Sequence, residues 1–468
     1  MDNIKVGLEV HVQLNTNTKL FCSCSTKNML NAKPNSRTCA ICLGHPGARP
    51  TLNRAVIESA LKISLALGCK IAKDSFFSRK TYFYPDMSKN FQITQYEIPF
   101  ASNGKLEIVN EKGKRKTIRI RRVHIEEDPA KLQHIGGNIT DSDYTLIDYN
   151  RSGIPLCEIV TEPDLSSPKE ARTFLKKLEA ILDYLNVILS NSGLKVDTNI
   201  SIDNGKRVEI KNITGYNDVK EAIVKETFRQ DWLKRNGGKV VQETRAWIAN
   251  RKDTISLRKK ETEEDYGYIF EPDLTKIVVD DVLISKIRKK IPELPHQKFE
   301  RYQKQFGITS ELSSSISGDL RLAKFYENVV KKVDPKISAT WIDILKKTLL
   351  YNNVSIEETK ITENLFIKLI KLVQKEKITD LAGEMILREI IFKPSKFISL
   401  VKRFSKVNDI ENIVEGVLRD EKKAVNDYKS GNKKAIQYVI GQVIKKSGKR
   451  IDAKTAYKII EKRINGSG

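Results

Sequence analysis

The sequence has no apolar run near the roughly 18–20 residues that a membrane-crossing helix requires. That argues against a helical membrane protein. It also lacks the patterns G-x-x-x-x-G-K-[ST], G-x-G-x-x-G and G-x-S-x-G. A P-loop is thereby excluded, and the usual marks of a dinucleotide fold and a serine-hydrolase elbow are missing. No amidase-like Ser-rich segment is present either. The first residues show no basic-then-apolar leader and enter a strand pattern at once, so the expected location is cytoplasmic. Proline is scarce after Pro295: twelve of the 14 prolines lie in residues 1–295, and only Pro335 and Pro394 follow. Acid is scarce too. The chain has 59 Asp and Glu against 83 Lys and Arg, a net charge of +24. A basic excess of this size points to a polyanionic partner, nucleic acid first, because Lys and Arg displace counterions from phosphates. A lysine-rich proteome would give the same excess without one.

The charge is unevenly spread. Residues 1–295 carry +10, residues 296–400 carry +5, and residues 401–468 carry +9, nearly all of it after Lys422. At about 150 residues per domain, a chain of 468 suggests roughly three domains. The proline-rich part mixes strands, turns and helices. In Val6–Leu14, Val6, Leu8, Val10, Val12 and Leu14 alternate with Gly7, Glu9, His11 and Gln13, the period of a half-buried strand. Leu194–Ile202 and Val208–Lys211 alternate likewise. Asn53–Leu67 has helical spacing and stops at Gly68. Ser167-Pro168-Lys169-Glu170 reads as a helix start, and that helix is expected to run to about Ile188. Beyond Ile291-Pro-Glu-Leu-Pro295 the helical period dominates, as in Leu365, Phe366, Leu369, Ile370 and Val373. Ile436, Val439, Ile440, Val443 and Ile444 repeat it, followed by Lys445, Lys446, Lys449 and Arg450.

Three constellations carry chemistry. Cys22, Cys24, Cys39 and Cys42 form C-x-C and C-x-x-C pairs separated by 14 residues, which suits four thiolates around Zn²⁺. A disulfide pair or a redox C-x-x-C is the weaker alternative, and Cys69 and Cys157 read as core residues. Glu9 and His11 stand at i and i+2 of a strand and point the same way. With His124, Glu126, Glu127, Asp128, Asp197 and Glu209 they form a cluster whose carboxylates could supply oxygen ligands for Mg²⁺. His124 and Glu126 share parity, and in a regular strand Glu127 points the other way. The alternative is a solvated turn at Glu126–Asp128 and an ordinary polar-face His11. Finally, Ser78–Asn90 mixes cations with aromatics and suits phosphate gripping and base stacking, though Tyr82 and Tyr84 fit a half-buried strand equally well.

Longer runs carry a resemblance. Val6-Gly-Leu-Glu-Val-His-Val-Gln-Leu14, Arg79-Lys-Thr-Tyr-Phe-Tyr-Pro-Asp86, His124-Ile-Glu-Glu-Asp-Pro-Ala-Lys131 and Asp148-Tyr-Asn-Arg-Ser-Gly-Ile-Pro-Leu156 resemble the B subunits of the aspartyl/glutamyl-tRNA amidotransferases. So do Glu158–Asp164, Asp197–Ser201, Glu209–Asn212, Gln242–Arg245, Ile291–Pro295, Asp427–Gly431 and Val439–Val443, in order along nearly the whole chain. One segment departs: at Asp265–Leu274, Gly267 stands where the family has arginine and Phe270 where it has proline. Arg258, Lys259 and Lys260 are candidates to replace that cation.

The resemblance implies a cradle-like α/β domain on a mostly antiparallel sheet (1–294, with the zinc knuckle at 22–42). An all-α helical domain (295–400) and a small basic all-α tail (401–468) that binds tRNA follow. It implies ATP-dependent phosphorylation of the side-chain carboxylate of Glu-tRNA(Gln) or Asp-tRNA(Asn), then amidation. An amidase A subunit supplies the ammonia, a small C subunit joins the two, and the misacylating synthetase is a further candidate partner. By the same resemblance Glu9, His11 and Glu127 hold Mg²⁺, Glu209 is a further ligand or nearby acid, and Asp197 is a weaker candidate. Arg79, Lys80 and Lys89 handle phosphate, while Tyr84 and Asp86 line the site. The readings set against this one are a non-catalytic tRNA-binding zinc protein and the related archaeal E subunit, which carries a large inserted domain.

Overall fold

The computed structural model describes residues 3–136, 142–188, 193–259, 267–405 and 410–465. The chain forms two compact units, Met1–Leu294 and Pro295–Gly468.

The first unit is built on a nine-stranded sheet. Its order is Asp253–Lys259, Glu243–Ile248, Val208–Thr214, Lys195–Ile202, Ile4–Gln13, Pro155–Thr161, Arg115–Glu127, Ala101–Val109 and Lys70–Ile71. Every pair is antiparallel except Val208–Thr214 with Glu243–Ile248. The fold is thus α/β with a mostly antiparallel sheet, as the family resemblance implied.

The period-2 pattern decides which face is which. Val6, Leu8, Val10 and Val12 are at most 1% exposed and form one face with Val196, Ile200, Ile159 and Val123. The helices Arg54–Ala66, Pro168–Tyr184 and Tyr216–Arg235 pack against the sheet. The other face of Ile4–Gln13 carries Glu9 and His11. Helix Arg54–Ala66 begins where expected, with Asn53 Oδ1 accepting from the Ala55 N–H, and Gly68 closes it at φ 63°. Pro168–Tyr184 starts at Ser167, whose Oγ accepts from the Glu170 N–H at 3.2 Å. It ends earlier than the sequence suggested. Asn186 adopts φ 53°, a left-handed turn that the apolar run Leu185–Ile188 does not betray.

Three smaller sheets flank the large one. In one of them, Ser78–Thr81 lies between Phe91–Thr94 and the short strand Tyr268–Phe270, which is distant in sequence. The register pairs Tyr268 with Lys80, Ile269 with Arg79 and Phe270 with Ser78. Within the segment that departs from the family pattern, Tyr268–Phe270 therefore forms an edge strand beside Arg79 and Lys80. The side chains of Arg258 and Lys259, and Lys260 as a whole, lie outside the described residues.

The second unit is helical from Pro295–Phe306 to Ala453–Asn465. Phe366, Leu369 and Ile370 of helix Glu363–Gln374 are buried, as their spacing predicts, while Leu365 and Val373 are half-buried and Ile367 joins the buried set. Residues 410–464 have an apolar cluster of their own, in which Val414, Val417, Val439, Val443 and Ile460 are at most 1% exposed. Thr379 Oγ1 also donates to the Lys449 carbonyl at 2.9 Å, tying the cap of helix Asp380–Ile390 to the turn before helix Ala453–Asn465.

Candidate active site

The strand order brings distant acids into neighbouring rows. Glu9 lies opposite Asp197, His11 opposite Glu158, and Glu158 opposite His124. Two groups result, each with its ligand atoms within 4.8 Å of one another: Glu9, Asp197 and Glu209, and His11, Glu126 and Glu158. In the first, Asn199 Nδ2 donates to Glu9 Oε1 at 2.8 Å and Thr244 Oγ1 to Glu209 Oε2 at 2.9 Å. In the second, His11 Nδ1 is 3.4 Å from Glu126 Oε1, and His124 Nε2 is 2.8 Å from Glu158 Oε2.

Burial opposes charge on His11, but the hydrogen bond to Glu126 and the fields of Glu158 and Asp197 outweigh it and raise its pKa to about 10. His124 rises to about 9 against the same burial, driven by Glu158 and Glu126. Burial works against the Glu158 carboxylate as well, yet His124 and His11 pull it down to about 2. The two imidazoles are thus the close counter-charges of Glu126 and Glu158.

Glu127 belongs to neither group. Lys89 Nζ donates to its two oxygens at 2.5 and 2.6 Å, and the Ile93 N–H donates to Oε1 at 2.8 Å. The reason is strand parity: Glu126 shares its face with His124, and the next residue turns away. The trio Glu9, His11 and Glu127 is therefore divided, with Glu126 beside His11. Nor is Glu126–Asp128 a solvated turn, since these residues are only 3–6% exposed.

Arg79 is engaged by Glu271 through two hydrogen bonds of 2.7 and 2.8 Å and lies 4.5 Å over the Phe91 ring. Lys80 is half-buried on the same strand. Arg79, Lys89, Phe91, Glu271 and Asp273 line a cleft of about 180 Å³ with His45 and the loop after Cys42. Tyr84 is exposed and stacks on Tyr82 at 5.9 Å. Asp86 is buried, which raises its pKa. Glu158 was not singled out from the sequence, although a charge inside the apolar run Leu156–Val160 was its signal.

The four cysteine sulfurs of the knuckle also lie within 4.8 Å of one another. Zn–S bonds of about 2.3 Å would put tetrahedral sulfurs about 3.8 Å apart, and Cys39 Sγ and Cys42 Sγ are 3.9 Å apart. The set is compatible with structural zinc. All six cysteines are free thiols. Cys42 is pulled down to about 4, chiefly by its hydrogen bond from Cys22, while Cys22 is pushed up by the same bond. Lys19, fully buried, points its ammonium at Cys42 Sγ at 3.5 Å and at the Tyr149 carbonyl at 3.3 Å.

Among the described residues no helix is long and apolar enough to cross a membrane. The GatB/GatE catalytic domain family matches residues 4–285, and the GatB domain family matches residues 324–464. Curated relatives named as the B subunit of aspartyl/glutamyl-tRNA(Asn/Gln) amidotransferase are similar over almost the full length. The one from Methanococcoides burtonii is 43% identical, covering 98% of both chains. That from Thermotoga maritima is 41% identical, again covering 98% of both. The chain therefore belongs to the B-subunit family of the aspartyl/glutamyl-tRNA(Asn/Gln) amidotransferases.

Proposed function

We propose that this chain is the component that activates and amidates the side-chain carboxylate of Glu-tRNA(Gln) or Asp-tRNA(Asn). The γ-phosphoryl group of ATP passes to the carboxylate oxygen and ADP leaves. Ammonia then attacks the acyl carbon, phosphate departs, and the amide remains. An amidase A subunit supplies the ammonia and a small C subunit completes the complex, which acts in the cytoplasm.

The observation that carries this reading is the pair of acid groups side by side on one sheet face. Carboxylate oxygens with one imidazole are a donor set for a hard divalent cation, so the residues fit Mg²⁺. Glu9, Asp197 and Glu209 would hold one ion, and His11, Glu126 and Glu158 a second. When bound, Mg²⁺ would neutralise nucleotide phosphate oxygens. The chain's own residues prepare the site. Asn199 and Thr244 aim Glu9 and Glu209, while His124 and Thr94 hold Glu126. Lys89 and Arg79, now paired with acids, are the cations available to phosphate. The four thiolates fit Zn²⁺ as a structural ion, and the basic tail is the tRNA-binding part.

Reconstitution with an amidase partner tests the proposal. Wild-type complex given ATP, glutamine and Glu-tRNA(Gln) or Asp-tRNA(Asn) forms the amide, whereas Glu9→Gln does not and still binds tRNA. Equal loss of tRNA affinity would favour a non-catalytic tRNA-binding protein. The archaeal E subunit is disfavoured, because coverage of 98% of both chains leaves no room for a large inserted domain.

A further inference from the structure

Two polar atoms on strand Arg115–Glu127 are buried without a hydrogen-bond partner among the described residues: Arg122 Nε and His124 Nδ1. Two residues apart, they share a face. The register joins that face to the acid groups, with Arg122 opposite Val160 and Val160 opposite Glu9. One row along, His124 lies opposite Glu158 and Glu158 opposite His11.

The other arginines nearby are satisfied. Arg119 makes two side-chain hydrogen bonds to Asp164, and Arg121 makes two to Glu162. Arg122 makes no ion pair among the described residues. A buried N–H without an acceptor is costly and persists where a ligand supplies the acceptor. The row reads cation, apolar spacer, acid, since Val160 is 7% exposed. With strands about 4.8 Å apart, the Arg122 and Glu9 backbones are about 10 Å apart, with Val160 between them.

We propose that Arg122 is the oxyanion receptor of this site, binding a substrate carboxylate or phosphoryl group whose remaining oxygens face the acid groups. This rests on the function proposed above. A guanidinium presents parallel N–H donors that suit either anion. The two sources are the side-chain carboxylate of the aminoacyl group and a phosphate of the nucleotide.

The test compares wild type, R122Q and R122K in the complete complex with the amidase partner. R122Q is expected to lower kcat/KM by about 10–100-fold, the loss of a charge-assisted hydrogen bond, and R122K to recover part of it. A raised KM for ATP alone identifies the phosphate, and a raised KM for aminoacyl-tRNA alone identifies the carboxylate. Zinc content and thermal midpoint should stay at wild-type values, which a purely structural arginine would not allow. R122Q with kcat and both KM values within twofold of wild type overturns the proposal. Should wild type itself form no amide, the proposed function falls instead. Equilibrium binding of MgATP and Glu-tRNA(Gln) to wild type and R122K then decides Arg122, and equal affinities overturn it.

Discussion

The sheet face of the first unit and the end of the second use charge in opposite ways. On the sheet, Glu126, Glu158 and Glu209 are 5–7% exposed and each is fixed by a named partner. In the tail, Lys422, Lys423, Lys429, Lys433 and Lys434 stand exposed on or beside short helices. Buried charge depends on geometry, because an unpaired ion there is strongly destabilising. Exposed charge acts by its sum, because solvent and salt screen each member. The difference teaches that one substitution can disable the first region, whereas the second should lose function in increments.

The largest effect sharpens that contrast. Glu158→Gln should cut amide formation by roughly 10–100-fold, the scale of damage to a metal environment, while tRNA affinity stays within about twofold. A matching loss of affinity in a filter-binding assay would erase the distinction between the regions. Next, Cys22→Ser should release the knuckle metal and lower the thermal midpoint of the protein. Elemental analysis finding no zinc in wild type would remove the basis for this expectation.

Truncation before Lys422 should weaken tRNA binding and flatten its dependence on salt, whereas each single Lys→Ala there should cost only about twofold. A single lysine that abolished binding would show that the tail, too, works by geometry. The smallest effect lies in the helical unit. Burial opposes charge on Glu327, but hydrogen bonds from Lys298, Arg301 and Tyr302 hold its pKa below 4.5. Its contribution to stability is therefore complete above pH 4.5 and is lost as pH falls through the lower folded value. Urea midpoints of wild type and Glu327→Gln should differ at about pH 6 and converge at acid pH; a constant difference would count against the pairing.

Local patterns were readable in the sequence, and long-range pairings were not. Val6–Val12 declares a strand by alternation, and the cysteine pairs declare a tetrathiolate by spacing. The second unit's helices are equally plain from Phe366, Leu369 and Ile370. Nothing local says that Ile4–Gln13 lies between Pro155–Thr161 and Lys195–Ile202, yet that order sets Glu158 beside His11 and Asp197 beside Glu9. The Lys89–Glu127 pair was hidden for the same reason, since its members lie 38 residues apart. The helix end at Asn186 was missed because an αL turn by asparagine leaves the apolar pattern intact.

The central place of strand Ile4–Gln13 also bears on how the protein is made. Both its neighbours, Pro155–Thr161 and Lys195–Ile202, are synthesised long after it. At about 5–20 residues per second, the first of them arrives roughly 7–30 s later. During that interval Val6, Leu8, Val10 and Val12 have no sheet to join, and closing so long a loop makes their pairing slow. The strand that carries Glu9 and His11 thus stays without its sheet neighbours throughout that interval.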